Sequence, residues 1–460
     1  MYLKRKIDQE LERWLQNPFH SPALLTGVRQ CGKTESIRHF ANDHFAYVNE
    51  VNFWKNPDAK DCFGGALVVD DMIRSLSMEF PSFRFVPGKT LLFLDEIQDC
   101  PRARLALKSF KEDGRYQVIA SGSYIGLNLV GEVLNATPKP NGAEDVFRMY
   151  TMDFQEFLWA KGFEEKSLDF LKEHFRNRTP IPEASHQRLL TLYREYLCVG
   201  GFPETVKIFL TQNSFKAAYD KNRSLIFDIK GDASKRKDEE GKPMFTVSEV
   251  ARIQQAFDLV PSFALSENKR FVASRIDGNG LQRTNAVNYL INANVVFPVK
   301  NVTVPALPLS VNRIENDYKL FYADIGLLTS SFDFDEIKAT YYDALGLSKG
   351  YVYEAAIAES LHKQGMPLYY FGKSSGLEID LVISYQGNAT LVEAKAKSGN
   401  AKAAKMVLSH PEHYGKTKLI KLGAYNIAST GEVLTLPCYL TYLIGEVEDD
   451  LPLACPFALG

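Results

Sequence analysis

Cysteine is sparse and unpaired in this sequence: Cys31, Cys62, Cys100, Cys198, Cys438 and Cys455 are scattered over 460 residues, with no C-x-x-C pair. That argues against a zinc site and against a disulfide scaffold, and fits a reducing compartment. Long apolar runs are missing too. Nothing approaches the roughly 18 residues of a membrane span, and the opening MYLKRKIDQELERWL has no apolar centre of the kind a secretory signal needs. It reads as a charged amphipathic helix, and a soluble, cytoplasmic protein without a membrane partner is expected. Charge of one sign is also lacking. Lys and Arg number 54 against 56 Asp and Glu, a formal net charge of −2, so any nucleic-acid contact has to come from local patches. What remains, 45% hydrophobic and 24% charged, is ordinary globular material, and at roughly 150 residues per domain the length predicts about three domains.

The most specific stretch is GVRQCGKT, residues 27–34, which fits G-x-x-x-x-G-K-[ST] at every fixed position. Gly27 and Gly32 let backbone N–H groups curl round phosphate oxygens, and the next helix adds the positive end of its dipole. Lys33 is expected to reach the β- and γ-phosphates of ATP, and the Thr34 hydroxyl to hold Mg²⁺. A short apolar strand over residues 22–26 and a helix over residues 35–42 supply the context. Further on, TLLFLDE is an apolar run ending in Asp95 and Glu96. Such a run is what a central parallel strand looks like, with helices on both faces. Asp95 is the expected Mg²⁺ partner and Glu96 the base that activates water. A third strand, YQVIA, ends in Ser121-Gly122-Ser123. Ser121 is a candidate sensor of the γ-phosphate, although Ser-Gly-Ser is also ordinary turn chemistry.

GVRQCGKT, LLFLDEIQ and VIASGS together resemble the AAA+-like ATPases, most closely the archaeal-type group. The resemblance implies ATP hydrolysis with Lys33, Thr34, Asp95, Glu96 and Ser121 in the roles just given. Gln98 matches the family pattern without an evident role. The expected architecture is α/β: a P-loop AAA+-like core over residues 1–160, a helical lid over 161–243, a winged-helix-like domain over 244–318 and a further α/β domain over 319–460. Residues 228–243, DIKGDASKRKDEEGKP, read as a surface loop or linker. Inside the lid, Gly200-Gly201-Phe202-Pro203 is a helix stop followed by a helix start. It is similar to a family element that lies against the nucleotide base, so Gly201 and Pro203 are candidate nucleotide contacts, and Gly201→Val is expected to weaken ATP binding while sparing the fold. A plain helix corner is the other reading. The winged helix is either a DNA contact, through Lys269, Arg270 and Arg283, or a spacer between proteins. An arginine finger is not read; Arg29, Arg102, Arg104, Arg194 and Arg223 are candidates.

In the last third, two strands, LEIDLVI and TLVEAKA, flank the turn signal YQGNA. Strand alternation puts Glu393 and Lys395 on one face, and the hairpin brings Asp380 opposite them to within about one residue. Two carboxylates and a lysine at that spacing suit Mg²⁺ or Mn²⁺ and an activated water; a cross-strand salt bridge is the plainer reading. Asp380 and Glu393-x-Lys395, preceded by the helical Glu354, resemble the PD-(D/E)xK nuclease core. They are also like the C-terminal domain of unknown function found behind these ATPases, although Ile379 replaces the usual proline. The resemblance implies Asp380 and Glu393 as metal ligands, Glu354 as a supporting acid and Lys395 as a catalytic cation. Lys397, Lys402 and Lys405 offer a basic flank for DNA or another nucleic acid. Two functions follow: an ATPase coupled to a nuclease-like domain, or a nucleotide-driven switch whose C-terminal domain binds a protein partner. A small P-loop kinase is disfavoured, because a water-activating acid beside the phosphates would be wasteful there.

Overall fold

The computed structural model describes residues 1–123, 142–236, 242–263, 269–344, 349–395 and 401–446. Two compact units emerge. Unit 1 comprises Met1–Phe163, Arg194–Pro298 and Leu320–Leu345; unit 2 comprises Glu164–Tyr193, Val299–Lys319 and Gly346–Gly460. The division falls inside the helix Glu183–Val199 and inside two strands.

Unit 1 is built on five parallel strands: β1 (Ala23–Gly27), β2 (Tyr47–Asn52), β3 (Thr90–Asp95), β4 (Gln117–Ser123) and β5 (Asp145–Met149), in the order β2-β3-β4-β1-β5. Every residue of β1 and β3 is buried, as the apolar runs predict for central strands. Leu92, Leu94, Ile97, Leu107 and Phe110 belong to one core cluster, which joins β3 to the helix Pro101–Asp113. Strand β4 lies between β1 and β3, with Leu25 level with Ser121 and Gly27 with Ser123. The order therefore delivers the P-loop, Asp95 and the two serines to one edge of the sheet.

The helical part of unit 1 opens with Phe154–Ala160, capped by Asp153 and closed reciprocally by Glu156. At the Gly200-Gly201 corner the chain packs backbone against backbone. Met152 N–H donates to Gly201 O at 2.7 Å, Gly201 N–H donates to Asp324 Oδ2 at 3.0 Å, and a Cβ on Gly201 would stand 2.0 Å from Met152 O. A substituted Gly201 cannot spare the fold, contrary to expectation, because no side chain fits that approach. Asn222, fully buried, ties the corner together by donating to Val199 O and Ser330 Oγ while accepting from Thr205. The loop read over residues 228–243 is also corrected. Helix Phe215–Lys235 runs through its first half, held by the burial of Ala233 and the Asp232–Arg236 pair one turn apart. Together these outweigh the roughly 1 kcal/mol that Gly231 costs a helix interior.

Unit 2 carries a mixed sheet of β6 (Val296–Val302), β7 (Arg313–Tyr322), β8 (Tyr369–Gly372), β9 (Glu378–Tyr385), β10 (Asn388–Lys395), β11 (Thr417–Gly423), β12 (Ala428–Thr430) and β13 (Val433–Pro437). Their order is β12-β13-β11-β10-β9-β8-β6-β7. The two helices expected for a winged helix form at Val247–Leu259 and Gly280–Asn292, each with a capping box. The strand after them neighbours β7, the next strand in the chain, and also pairs in parallel with β8 at Lys300–Tyr369, so it belongs to the larger sheet as well. The β9–β10 hairpin turns on Gln386 and Gly387, both at positive φ, the two-residue turn whose twist matches its strands. Its register runs from Asn388 opposite Tyr385 to Val392 opposite Leu381, so the next step sets Asp380 level with Glu393.

Candidate functional site

The P-loop needs its two glycines for separate reasons. A Cβ on Gly27 would lie 2.1 Å from Met149 O, and Gly32 caps the helix Lys33–His44 at φ +102°, where a side chain is strained. Lys33 is buried, and its Nζ donates to Gly27 O at 3.1 Å and Val28 O at 3.0 Å, holding the ammonium over the loop. From the N-terminal segment, buried Arg5 donates to Cys31 O at 2.7 Å and Tyr150 O at 2.8 Å and pairs with Glu156 at 3.0 Å. Pro203 Cγ stands 3.5 Å from where a Gly32 Cβ would be, so the lid turn does lie beside the P-loop.

Asp95 is the hub. Thr34 Oγ1 lies 3.3 Å from both its carboxylate oxygens, Asn52 Nδ2 donates to Oδ2 at 2.8 Å, and Ser121 Oγ donates to Oδ1. Ser121 is thus engaged with Asp95, whereas the buried Ser123 Oγ has no hydrogen-bond partner among the described residues. Glu96 sits in the left-handed region at φ +54°, a strained setting for a non-glycine residue. Gln98 explains how it is held: its Nε2 donates to Glu96 Oε2 at 2.5 Å, and its Oε1 accepts from Ser123 N–H at 3.2 Å. One amide side chain therefore ties the acid after β3 to the end of β4.

Beside the P-loop opens a cleft of about 830 Å³ including its mouth, lined by Arg29, Ser123, Asp232, Arg236 and Tyr289 among others. Asp232 pairs with Arg29 and, at 3.0 Å, with Arg236, and accepts from Tyr289 OH at 3.1 Å. Burial works against the Arg236 charge, yet Asp232 and Tyr289 hold its guanidinium above the ordinary range. Burial and neighbouring Glu96 push Asp99 up, while Lys60, Arg29 and Arg236 pull it down, so both arginines act on the acidic edge of β3. Of the five arginines singled out from sequence, Arg29 alone is among those lining this cleft. Arg102 and Arg104 are engaged with Phe63 O and Glu144.

In unit 2 the structure gathers Glu354, Asp380, Glu393 and Lys395, and adds Lys319 and Glu378. Lys319 Nζ, in a side chain only 2% exposed, lies 2.9 Å from Glu354 Oε1, 2.7 Å from Glu378 Oε1 and 3.4 Å from Asp380 O. Asp380 Oδ2 accepts from Ala394 N–H at 3.0 Å, and Glu393 Oε2 pairs with Lys395 Nζ at 2.6 Å. Burial first, then Asp380, raise the Glu393 carboxyl to about 7, with Lys395 opposing. Among the described residues no group of three or more His, Cys, Asp and Glu side chains is placed to hold a metal. Glu354 is committed to an ammonium. Lys402 and Lys405 are exposed on the helix Lys402–Ser409, and Lys397 lies outside the described residues. Arg283 Nε donates to Ile276 O at 2.7 Å.

Residues 20–158 match the family model for an AAA domain. The P-loop, Asp95, Glu96 and the two serines that end β4 all lie within that match. Residues 190–338 and 349–439 match two domains of unknown function, DUF8612 and DUF4143. No curated protein matches the chain. Among solved structures it is similar to the Walker-type ATPase PABY2304 of Pyrococcus abyssi, at 16% identity over 72% of this chain and 96% of that one, TM-score 0.39. The ORC2 protein of Aeropyrum pernix matches at 12% identity over 75% and 94%, TM-score 0.34. AMPPCP-bound DnaA of Aquifex aeolicus matches at 12% over 64% and 88%, TM-score 0.28. Likenesses this distant carry no inference about partners. At this site the sequence does not single out Arg5, Asn52, Asp232 or Arg236, and within Ser121-Gly122-Ser123 it points to Ser121 rather than Ser123. A polar residue ending β2 was the one available signal for Asn52; the others depend on contacts distant in sequence.

Proposed function

We propose that unit 1 binds ATP and hydrolyses it with Mg²⁺, and that hydrolysis drives a switch in which unit 2 binds a partner. The observation that carries the reading is the Thr34–Asp95 approach at 3.3 Å, with Glu96 next in the chain and Gln98 fixing it. A hydroxyl and a carboxylate are the hard oxygen donors Mg²⁺ takes, so these residues fit the ion, which when bound neutralises phosphate charge. Lys33 exchanges its two loop carbonyls for β- and γ-phosphate oxygens. Glu96 accepts a proton from the attacking water, and Ser123 donates to the γ-phosphate. Arg29 and Arg236 meet the charge that develops there, and Gly201 and Pro203 bound the nucleotide on the lid side.

Glu96→Gln tests this reading, since the amide keeps the shape and cannot take the proton. ATP binding is expected to persist while turnover falls at least a hundredfold, and Lys33→Ala is expected to lose binding. Equal turnover in wild type and Glu96→Gln removes Glu96 from the role of base.

A second reading, metal-dependent cleavage of DNA or RNA by unit 2, draws support from Asp380, Glu393 and Lys395 lying together. Commitment of Glu354 to Lys319 favours the partner-binding reading, which is the one adopted. Divalent-dependent nicking of plasmid DNA or RNA by wild type, abolished in Asp380→Ala, decides for the nuclease.

A further inference from the structure

Two lysines of the chain itself, Lys319 and Lys395, stand among the acids gathered in unit 2. Four carboxylates, those of Glu354, Glu378, Asp380 and Glu393, come from the helix Lys349–Lys363 and from β9 and β10. Glu354 is 1% exposed and Glu393 3%. Buried acids so close repel unless a positive charge joins them. Lys319, near the end of β7, reaches in from a different strand with its side chain 2% exposed. Its ammonium has Glu354 Oε1 at 2.9 Å, Glu378 Oε1 at 2.7 Å, the Asp380 carbonyl at 3.4 Å and the Tyr370 ring centroid at 4.9 Å. Glu354 Oε1 and the Asp380 carbonyl accept its N–H groups, while Glu378 meets it as an ion pair. A Mg²⁺ ion needs oxygens at about 2.1 Å in near-octahedral array, so oxygens standing 2.7 to 3.4 Å from the ammonium would coordinate it only by moving inward once the lysine is gone.

We infer that Lys319 is the resident cation of the Glu354–Glu378 half of this cluster, as Lys395 is of Glu393, seated where a divalent ion would otherwise be required, and that unit 2 keeps its fold without a bound metal. The inference stands on unit 2 alone and does not depend on ATP hydrolysis by unit 1. It also defines a latent site: removing the ammonium leaves Glu354, Glu378 and the Asp380 carbonyl as oxygen donors for Mn²⁺ or Mg²⁺. A lysine there holds a fixed single charge and offers no open position for water, so the cluster has structure without Lewis acidity.

The test uses the full chain without nucleotide, titrated with MnCl₂ and followed by thermal unfolding and by the electron paramagnetic resonance signal of free Mn²⁺. Wild type is expected to bind no Mn²⁺ below the millimolar range and to show no change in Tm. Lys319→Met is expected to lose several degrees of Tm in chelator, to bind one Mn²⁺ at least tenfold more tightly than wild type, and to recover Tm on binding. Lys319→Met/Glu354→Gln removes both charges, and is expected to fold without metal and to bind none. Should Lys319→Met fail to fold, wild type and Asp380→Ala still decide. Tight binding of one Mn²⁺ by wild type that Asp380→Ala abolishes overturns the inference, and so does a folded Lys319→Met that gains no affinity.

Discussion

Ser123 offers the sharpest separation of the two serines that end β4. Its hydroxyl is buried, borders the cleft beside the P-loop and has no hydrogen-bond partner among the described residues. Ser121 Oγ, two residues earlier, is engaged with Asp95. Deleting an orphaned buried hydroxyl removes a desolvated group that makes no compensating bond, so Ser123→Ala should leave Tm unchanged or slightly raised. If Ser123 donates to the γ-phosphate during turnover, the loss is one hydrogen bond to a charged acceptor, about 1.5–3 kcal/mol. At about 1.4 kcal/mol per tenfold this is roughly a 10- to 150-fold fall in kcat/KM. Ser121→Ala acts differently, because it takes a donor from Asp95: half-maximal ATPase should require more Mg²⁺, with partial recovery at saturating ion. The assay is steady-state phosphate release over a Mg²⁺ series for both variants, with Tm recorded beside it. Full activity in Ser123→Ala, together with a Mg²⁺-independent loss in Ser121→Ala, would refute the assignment and return the sensor role to Ser121.

Other expectations are direct. Gly201→Ala places a Cβ 2.0 Å from Met152 O, so the corner must open, and a loss of about 2–3 kcal/mol should appear as a lowered Tm even without nucleotide; an unchanged Tm contradicts the packing. Asp232→Ala strips the carboxylate from Arg236 and Tyr289, both largely buried, leaving Arg236 Nε only the Tyr289 hydroxyl at 3.3 Å among the side-chain acceptors described and Tyr289 OH without its acceptor, costing about 1–3 kcal/mol. Arg29→Ala, breaking a pair at a half-exposed arginine, should cost under about 1 kcal/mol, and denaturant titrations compare the two. The Glu393 carboxyl, raised from 4.5 to about 7, holds a proton that the unfolded chain has released. Its contribution is full below about pH 4.5 and is lost as pH rises through about 7, amounting to no more than about 3 kcal/mol. Wild type should therefore lose stability from pH 5 to 8 more steeply than Glu393→Gln, and parallel Tm profiles for the two would refute the shift.

What the sequence reveals here follows the range of the interactions involved. The loop that carries Lys33 and Thr34 and the strand that ends in Asp95 are legible because a glycine turn before a helix and a fully buried strand impose fixed local spacing. The β9–β10 hairpin is legible because Gln386-Gly387 can turn in few ways. Gln98 sits two residues from Glu96 and was visible as a residue, but its use depends on β4 lying alongside β3, so no local pattern assigns it. Asp232 and Arg236 were hidden by composition. A segment rich in Lys, Asp and Gly looks like a linker until burial of Ala233 and a one-turn ion pair show it to be helix. Lys319 was the furthest from view, lying 35 residues before Glu354 on a strand whose partner order no periodicity fixes. Carboxylates at nuclease-like spacing announce that a cation is needed; only the fold says whether the chain recruits that cation or already contains it. The same motif is therefore compatible with a metal centre and with a lysine-centred one, and the choice between them lies in a residue outside the motif.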